Sequence, residues 1–273
     1  SRIYNVDVSA HPAKITGETV LKKDGVTVNY DLEGIAQRSD GSFWLASEGS
    51  KNAGQAGLTP NLLIQAATSG AVTREIRLPA AVDAKQKSNG YEGVAVTGAV
   101  GVDERVYVAF QREWAGDPAG KVRIGVYTPA LDTTSGEDAG EWKFFYYPLD
   151  AVESPAGGWV GLSEITALDD GKFAIIERDN QSGPDARIKR VYTVDVGGVT
   201  PKTEAEGSFA VLSKTLAIDV LPAMQAGKGW VHDKLEGLAR TEDGTVYAVT
   251  DNDGVDDSTG ETQFLNLGKT LGE

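Results

Sequence analysis

The phrase Glu-Gly-aliphatic-Ala recurs along this chain, and each copy precedes a hairpin pattern that ends in an acid. The copies are Leu32-Glu33-Gly34-Ile35-Ala36, Tyr91-Glu92-Gly93-Val94-Ala95 and Leu235-Glu236-Gly237-Leu238-Ala239, with a weaker one at Leu162-Ser163-Glu164-Ile165-Thr166-Ala167. The glutamates lie 59, 72 and 72 residues apart. A repeat this long, filled with strand patterns, predicts a propeller or another array. In such an array four distant carboxylates converge on one axis.

Asp40-Gly41, Asp170-Gly171 and Asp243-Gly244 each sit between two apolar runs, the strongest short hairpin signal. The second copy has Gly101-Val102-Asp103-Glu104 instead. Antiparallel pairing returns the last residue of a hairpin to its first. Glu33 is therefore predicted beside Glu48, Glu92 beside Glu113, Glu164 beside Glu177 and Glu236 beside Asp251.

Two further strand patterns follow each hairpin, so a repeat reads as four antiparallel strands, one propeller blade. The predicted fold is an all-β propeller of four-stranded blades, at least four in number, in a single domain spanning 1–273. Whole blades fall at 26–80, 85–150 and 155–222, a partial one at 230–268, and residues 1–25 read as the outer strands of a preceding blade. Short helical turns are expected at 150–153 and 222–226. Either the termini complete a small four-bladed ring or further blades lie upstream. The first residue is a Ser in mid-pattern, which favours the second. We therefore expect a second polypeptide, or an N-terminal piece of the same precursor, to cover the open sheet edge at 1–25.

No stretch of about 18 apolar residues is present, so no membrane span is expected. The absence of cysteine excludes disulfides, thiolate zinc sites and cysteine nucleophiles. A net charge of −14 argues against nucleic acid or an anionic membrane as partner, and suits bound hard cations.

Calcium takes six to eight oxygen ligands. Glu33, Glu92, Glu164 and Glu236, with Glu48, Glu113, Glu177, Asp251, Asn252 and Asp253, are the candidate donors at the channel mouth. Each Glu could equally cap local backbone N–H groups, with Gly permitting a bulge. The run Asp251-Asn252-Asp253-Gly254 looks like a calcium loop, but its Gly comes too early for an EF-hand. Arg112, Arg178 and Lys234 lie beside these acids and would hold a phosphate, or else neutralise the acidic ring. The only histidines are His11 and His232. His232 is the candidate for a Ser-His-Asp arrangement, although Ser163 lacks the second Gly of a nucleophile elbow. Metal-assisted attack by water is the hydrolytic route these residues support best.

Asp31-Leu32-Glu33-Gly34-Ile35-Ala36 with Ser47-Glu48, Asn89-Gly90-Tyr91-Glu92-Gly93, Gly161-Leu162-Ser163-Glu164-Ile165 with Ile176-Glu177-Arg178-Asp179, and Lys234-Leu235-Glu236-Gly237 with Thr250-Asp251-Asn252-Asp253-Gly254 together resemble the bacterial family called esterase-like activity of phytase. The resemblance spans residues 30–268. It implies a calcium-bound propeller, exported to the periplasm or secreted, that hydrolyses a small phosphorylated molecule. The competing readings are a non-catalytic ligand- or protein-binding propeller with structural calcium, and a calcium-dependent lactonase-type hydrolase.

Overall fold

Four antiparallel sheets of three or four strands are arranged as a four-blade β-propeller in the computed structural model. It describes residues 1–10, 12–131, 134, 138–169, 171–227, 229–252 and 262–271. The first blade holds β5 (Leu32–Gln37), β6 (Phe43–Ser47), β7 (Leu62–Ala66) and β8 (Val72–Arg77). The second holds β9 (Tyr91–Thr97), β10 (Arg105–Phe110), β11 (Lys121–Thr128) and β12 (Glu141–Pro148). The third holds β13 (Val160–Asp169), β14 (Lys172–Asp179), β15 (Lys189–Asp195) and β16 (Lys214–Asp219). The fourth has β17 (Leu235–Arg240), β18 (Val246–Thr250) and β19 (Phe264–Gly268). Ahead of them, β1 (Arg2–Asp7) pairs with β2 (Lys14–Val20), and β3 (Lys22–Lys23) with β4 (Val26–Thr27).

Period-two alternation on the second strand of each blade builds the core, because successive side chains leave opposite sheet faces. On β10, Val106, Val108 and Phe110 join the cluster against the first blade, around Trp44, Tyr91 and Trp142. Tyr107 and Ala109 face the other way, into the cluster shared with Phe173 and Ile175 of the third blade. On β14, Ala174 and Ile176 then turn to Leu238, Val246 and Ala248 of the fourth. Each blade is thus glued to the next through a dry face. Truncating a fully buried ring such as Trp44 would cost about 3–5 kcal/mol.

The segment after β15 returns to the second blade and covers the outer edge of β12. Phe144 N donates to Lys202 O at 2.8 Å, and Tyr146 N to Ala210 O at 2.9 Å. That blunts an edge otherwise open to pairing. The expected helical turn at 222–226 forms, as α2 (Leu221–Ala226). The one at 150–153 does not. Asp150 instead accepts from Arg190, Lys214 and Tyr192, which holds the segment open. A further turn of helix, α1 (Ala80–Asp83), was not foreseen.

Candidate functional site

The first strands of the blades lie side by side, β5 against β9, β9 against β13 and β13 against β17. Each carries a bulge where the repeated phrase falls. Leu32 faces Ser47 and Gly34 faces Ala46, which leaves Glu33 unpaired. Leu235 faces Thr250 and Gly237 faces Val249, which leaves Glu236 unpaired. On β9, Glu92 and Gly93 share one partner position, between the pairs Tyr91–Phe110 and Val94–Val108. A bulge re-aims its extra side chain, so the phrase is a device for turning an acid out of the ladder.

The glycine of the phrase has a separate task. A Cβ on Gly34 would lie 2.6 Å from Glu92 O and 2.7 Å from Val94 N. One on Gly93 would lie 2.2 Å from Glu164 Oε1 and 2.3 Å from Ile165 N. Glycine therefore lets each inner strand approach the backbone of the next.

The third blade departs from the reading by residue type. Leu162 faces Glu177 and Glu164 faces Ile176, so the bulged residue is Ser163 and Glu164 stands at the glycine position. Ser163 donates its hydroxyl to Leu235 O at 2.9 Å. Glu164 is buried, and its Oε1 accepts from its neighbour Ile165 N at 2.7 Å. The returning strands are shifted in the same way. The residues that follow the bulge partners are Glu48, Gln111, Arg178 and Asp251. Glu113 and Glu177 do not take the places expected of them. Gln111 Nε2 bonds to Glu92 Oε1. Glu113 accepts from Gly120 N at 2.8 Å and pairs with Arg112 at 3.3 Å. Glu177 binds Lys214 Nζ and Asp150 N, both at 2.6 Å.

What the ring brings together is an acidic side and a basic side. Oxygens of Asp31, Glu33 and Glu48 lie within 4.8 Å of one another. Asp31 was not among the candidate donors read from the sequence. Its carbonyl accepts from Glu48 N at 2.8 Å, and Glu48 Oε1 accepts from Gly90 N at 2.6 Å. Behind them Asn61 Oδ1 takes Gly49 N at 3.0 Å and Tyr91 N at 2.8 Å, fixing the backbone on either side of the cluster. Burial pushes the Glu33 carboxyl up to about 8, helped by Glu236, Glu48 and Asp31. Burial likewise raises Glu48 to about 7, against the pull of the Gly90 N–H. Glu92 is driven well above the carboxylate range by burial and then by Glu236 and Glu33, and burial alone does the same to Glu164. Burial raises Glu236 too, opposed by Arg178 and Lys234.

Arg178 reaches Glu236 Oε1 with Nη2 at 2.6 Å, and its side chain is 3% exposed. Its Nε has no hydrogen-bond partner among the described residues. Both Arg178 and Arg112 stack on Trp159, at 5.4 and 5.1 Å from the ring centre. Lys234 lies 3.6 Å from Asp251, whose N–H bonds back to Lys234 O at 2.9 Å. Asn252 is half-buried, and Asp253 and His11 lie outside the described residues. His232 is buried with Nε2 unpartnered among the described residues, and the Ser163 hydroxyl donates its hydrogen bond to a carbonyl. These two do not form a nucleophile–base pair.

Six to eight oxygens around a hard divalent cation is a donor chemistry that three converging carboxylates fit. Burial first, and then neighbouring like charges, raise the proton affinity of Glu33 and Glu48, with Lys234 opposing.

A four-bladed propeller with an asymmetric ring of carboxylates and guanidinium groups at the ends of its inner strands is the class that fold and site define. Residues 1–254 match the phytase-like family, described as esterase-like activity of phytase, and the chain belongs to that family. No curated protein matches it. Among solved structures, the PQQ-bound aldose sugar dehydrogenase of Streptomyces coelicolor is similar at 15% identity and a TM-score of 0.38, covering 90% of this chain and 83% of that one. No described helix is long and apolar enough to cross a membrane.

Proposed function

We propose that this protein is an exported, calcium-binding propeller that hydrolyses a phosphoester. The observation that carries the reading is the convergence of Asp31, Glu33 and Glu48 on the same ring as Arg178. Those three carboxylates would hold the cation, with Glu236 and Glu92 next in reach of its field. Calcium there would polarise a phosphoryl oxygen and a bound water. Arg178 and Arg112, stiffened by Trp159, would orient the phosphate, and Lys234 would add charge from the fourth blade. Burial raises the proton affinity of Glu92 and Glu164, which favours their neutral, donating form as the anion arrives. A periplasmic or extracellular setting supplies the free calcium that a site of modest affinity needs. The reading also keeps a second polypeptide on the β1–β2 hairpin, whose Tyr4, Val6 and Ile15 are exposed.

The Arg178–Glu236 pair favours a second reading, since a guanidinium already engaged by a carboxylate suits a closed, non-catalytic site with structural calcium. Hydrolysis of p-nitrophenyl phosphate separates the two. The leading reading expects calcium-dependent turnover that Arg178→Gln reduces by at least about tenfold. Stoichiometric calcium binding with no turnover of phosphoesters would leave the binding module.

A further inference from the structure

The face of the propeller opposite the acidic ring carries a second site. β5 runs from Glu33 at the ring to Arg38 past its other end. Five residues of extended chain separate the two by roughly 16 Å. Here the turns of the first and second blades enclose a cavity of about 640 Å³. Three arginines reach it, Arg38 beyond β5, Arg74 on β8 and Arg105 opening β10. In a chain of net charge −14, that local excess of cation is unexpected.

The three are not equivalent. Arg38 is buried and closed, giving Nε and Nη2 to Glu104 at 2.6 and 2.9 Å, while Trp44 Nε1 holds the same carboxylate at 3.0 Å. Both oxygens of Glu104 are thus engaged away from the cavity's cations other than Arg38. Arg74 meets Asp138 at 2.5 Å and Ala130 O at 3.1 Å. Arg105 donates only to two backbone carbonyls, Asp103 O at 3.3 Å and Glu104 O at 2.9 Å. Among the described residues it makes no salt bridge. The remaining walls mix the polar Gln65 and Thr128 with apolar residues, and two of the apolar ones stand open, Val102 at 82% exposure and Leu131 at 54%.

A guanidinium that has no salt-bridge partner among the described residues, in a concave site with apolar stretches of wall, suits an oxyanion on an apolar body. We propose that this cavity binds a small organic anion, its carboxylate or phosphate on Arg105 and its apolar part between Val102 and Leu131. The site lies apart from the carboxylate ring and does not depend on the function proposed for it.

Calorimetric titration with benzoate, phenyl phosphate and benzyl alcohol tests this on the whole chain. Both anions should bind and the neutral alcohol should not. Arg105→Gln should weaken benzoate at least about tenfold, as loss of a charge-assisted hydrogen bond does. Arg105→Lys should keep part of the affinity. Arg105 is half-exposed, so these variants keep the core intact. Equal binding of benzyl alcohol, binding unaltered by Arg105→Gln, or no binding at millimolar benzoate would each overturn the proposal. Preference between the two anions identifies the natural head group.

Discussion

Arg178 Nη2 stands 2.6 Å from Glu236 Oε1, joining the third blade to the fourth at the point where the ring changes from basic to acidic. The pair is close to fully enclosed, with the Glu236 side chain 13% exposed. Breaking an enclosed pair from one side leaves an uncompensated charge. Arg178→Gln should lower stability by about 3 kcal/mol in denaturant titrations. The same change should leave calcium affinity intact or tighten it, since a competing cation is gone. Weakened calcium binding would show that Arg178 only supports the carboxylates.

The carboxylates set a pH dependence that can be signed. Glu33 and Glu48 are raised from 4.5 to about 8 and about 7 in the folded chain. Across that window the folded state holds protons that the unfolded state has released, so stability falls as pH rises. Lys189, lowered by burial to about 8 beside Asp179, acts in the opposite sense and only above this range. In chelator, the melting temperature should drop between pH 5 and pH 8, and excess calcium should reverse the drop. A melting temperature that rises over this range without calcium contradicts the assignment.

Gly34 tests the close approach of the inner strands. Its substitution by Ala drives a methyl into backbone atoms of β9 that have no room to retreat. Gly34→Ala should cost at least about 2 kcal/mol. Gly227, at the end of α2 with φ −69° and nothing within 4 Å, is the control, and Gly227→Ala should be neutral or slightly stabilising. Equal, small effects at both positions would remove the packing role.

The blades were legible because strand alternation and Asp-Gly turns are local signals, and β6, β14 and β18 obey both. The ring was half legible, because residue type stood in for register. Counted from the hairpin glycines Gly41, Gly171 and Gly244, the residues eight before are Glu33, Ser163 and Glu236, and the residues seven after are Glu48, Arg178 and Asp251. That count singles out Ser163 and Arg178, whereas the eye for acids settled on Glu164 and Glu177. Gln111 escapes any such count, because the second blade turns through a longer loop without Asp-Gly. Asp31 precedes its strand. Only its place two residues before Glu33, on the same side of an extended chain, hinted at a shared site.

The central claim is that Asp31, Glu33 and Glu48 hold a calcium ion. Calorimetric titration of calcium at pH 8 into the wild-type chain and a Glu33→Gln/Glu48→Gln variant tests it most directly. One-to-one binding is expected in the wild type, accompanied by proton release, with its loss in a variant that still folds. Undiminished calcium binding by the double variant, or none by the wild type, would contradict it.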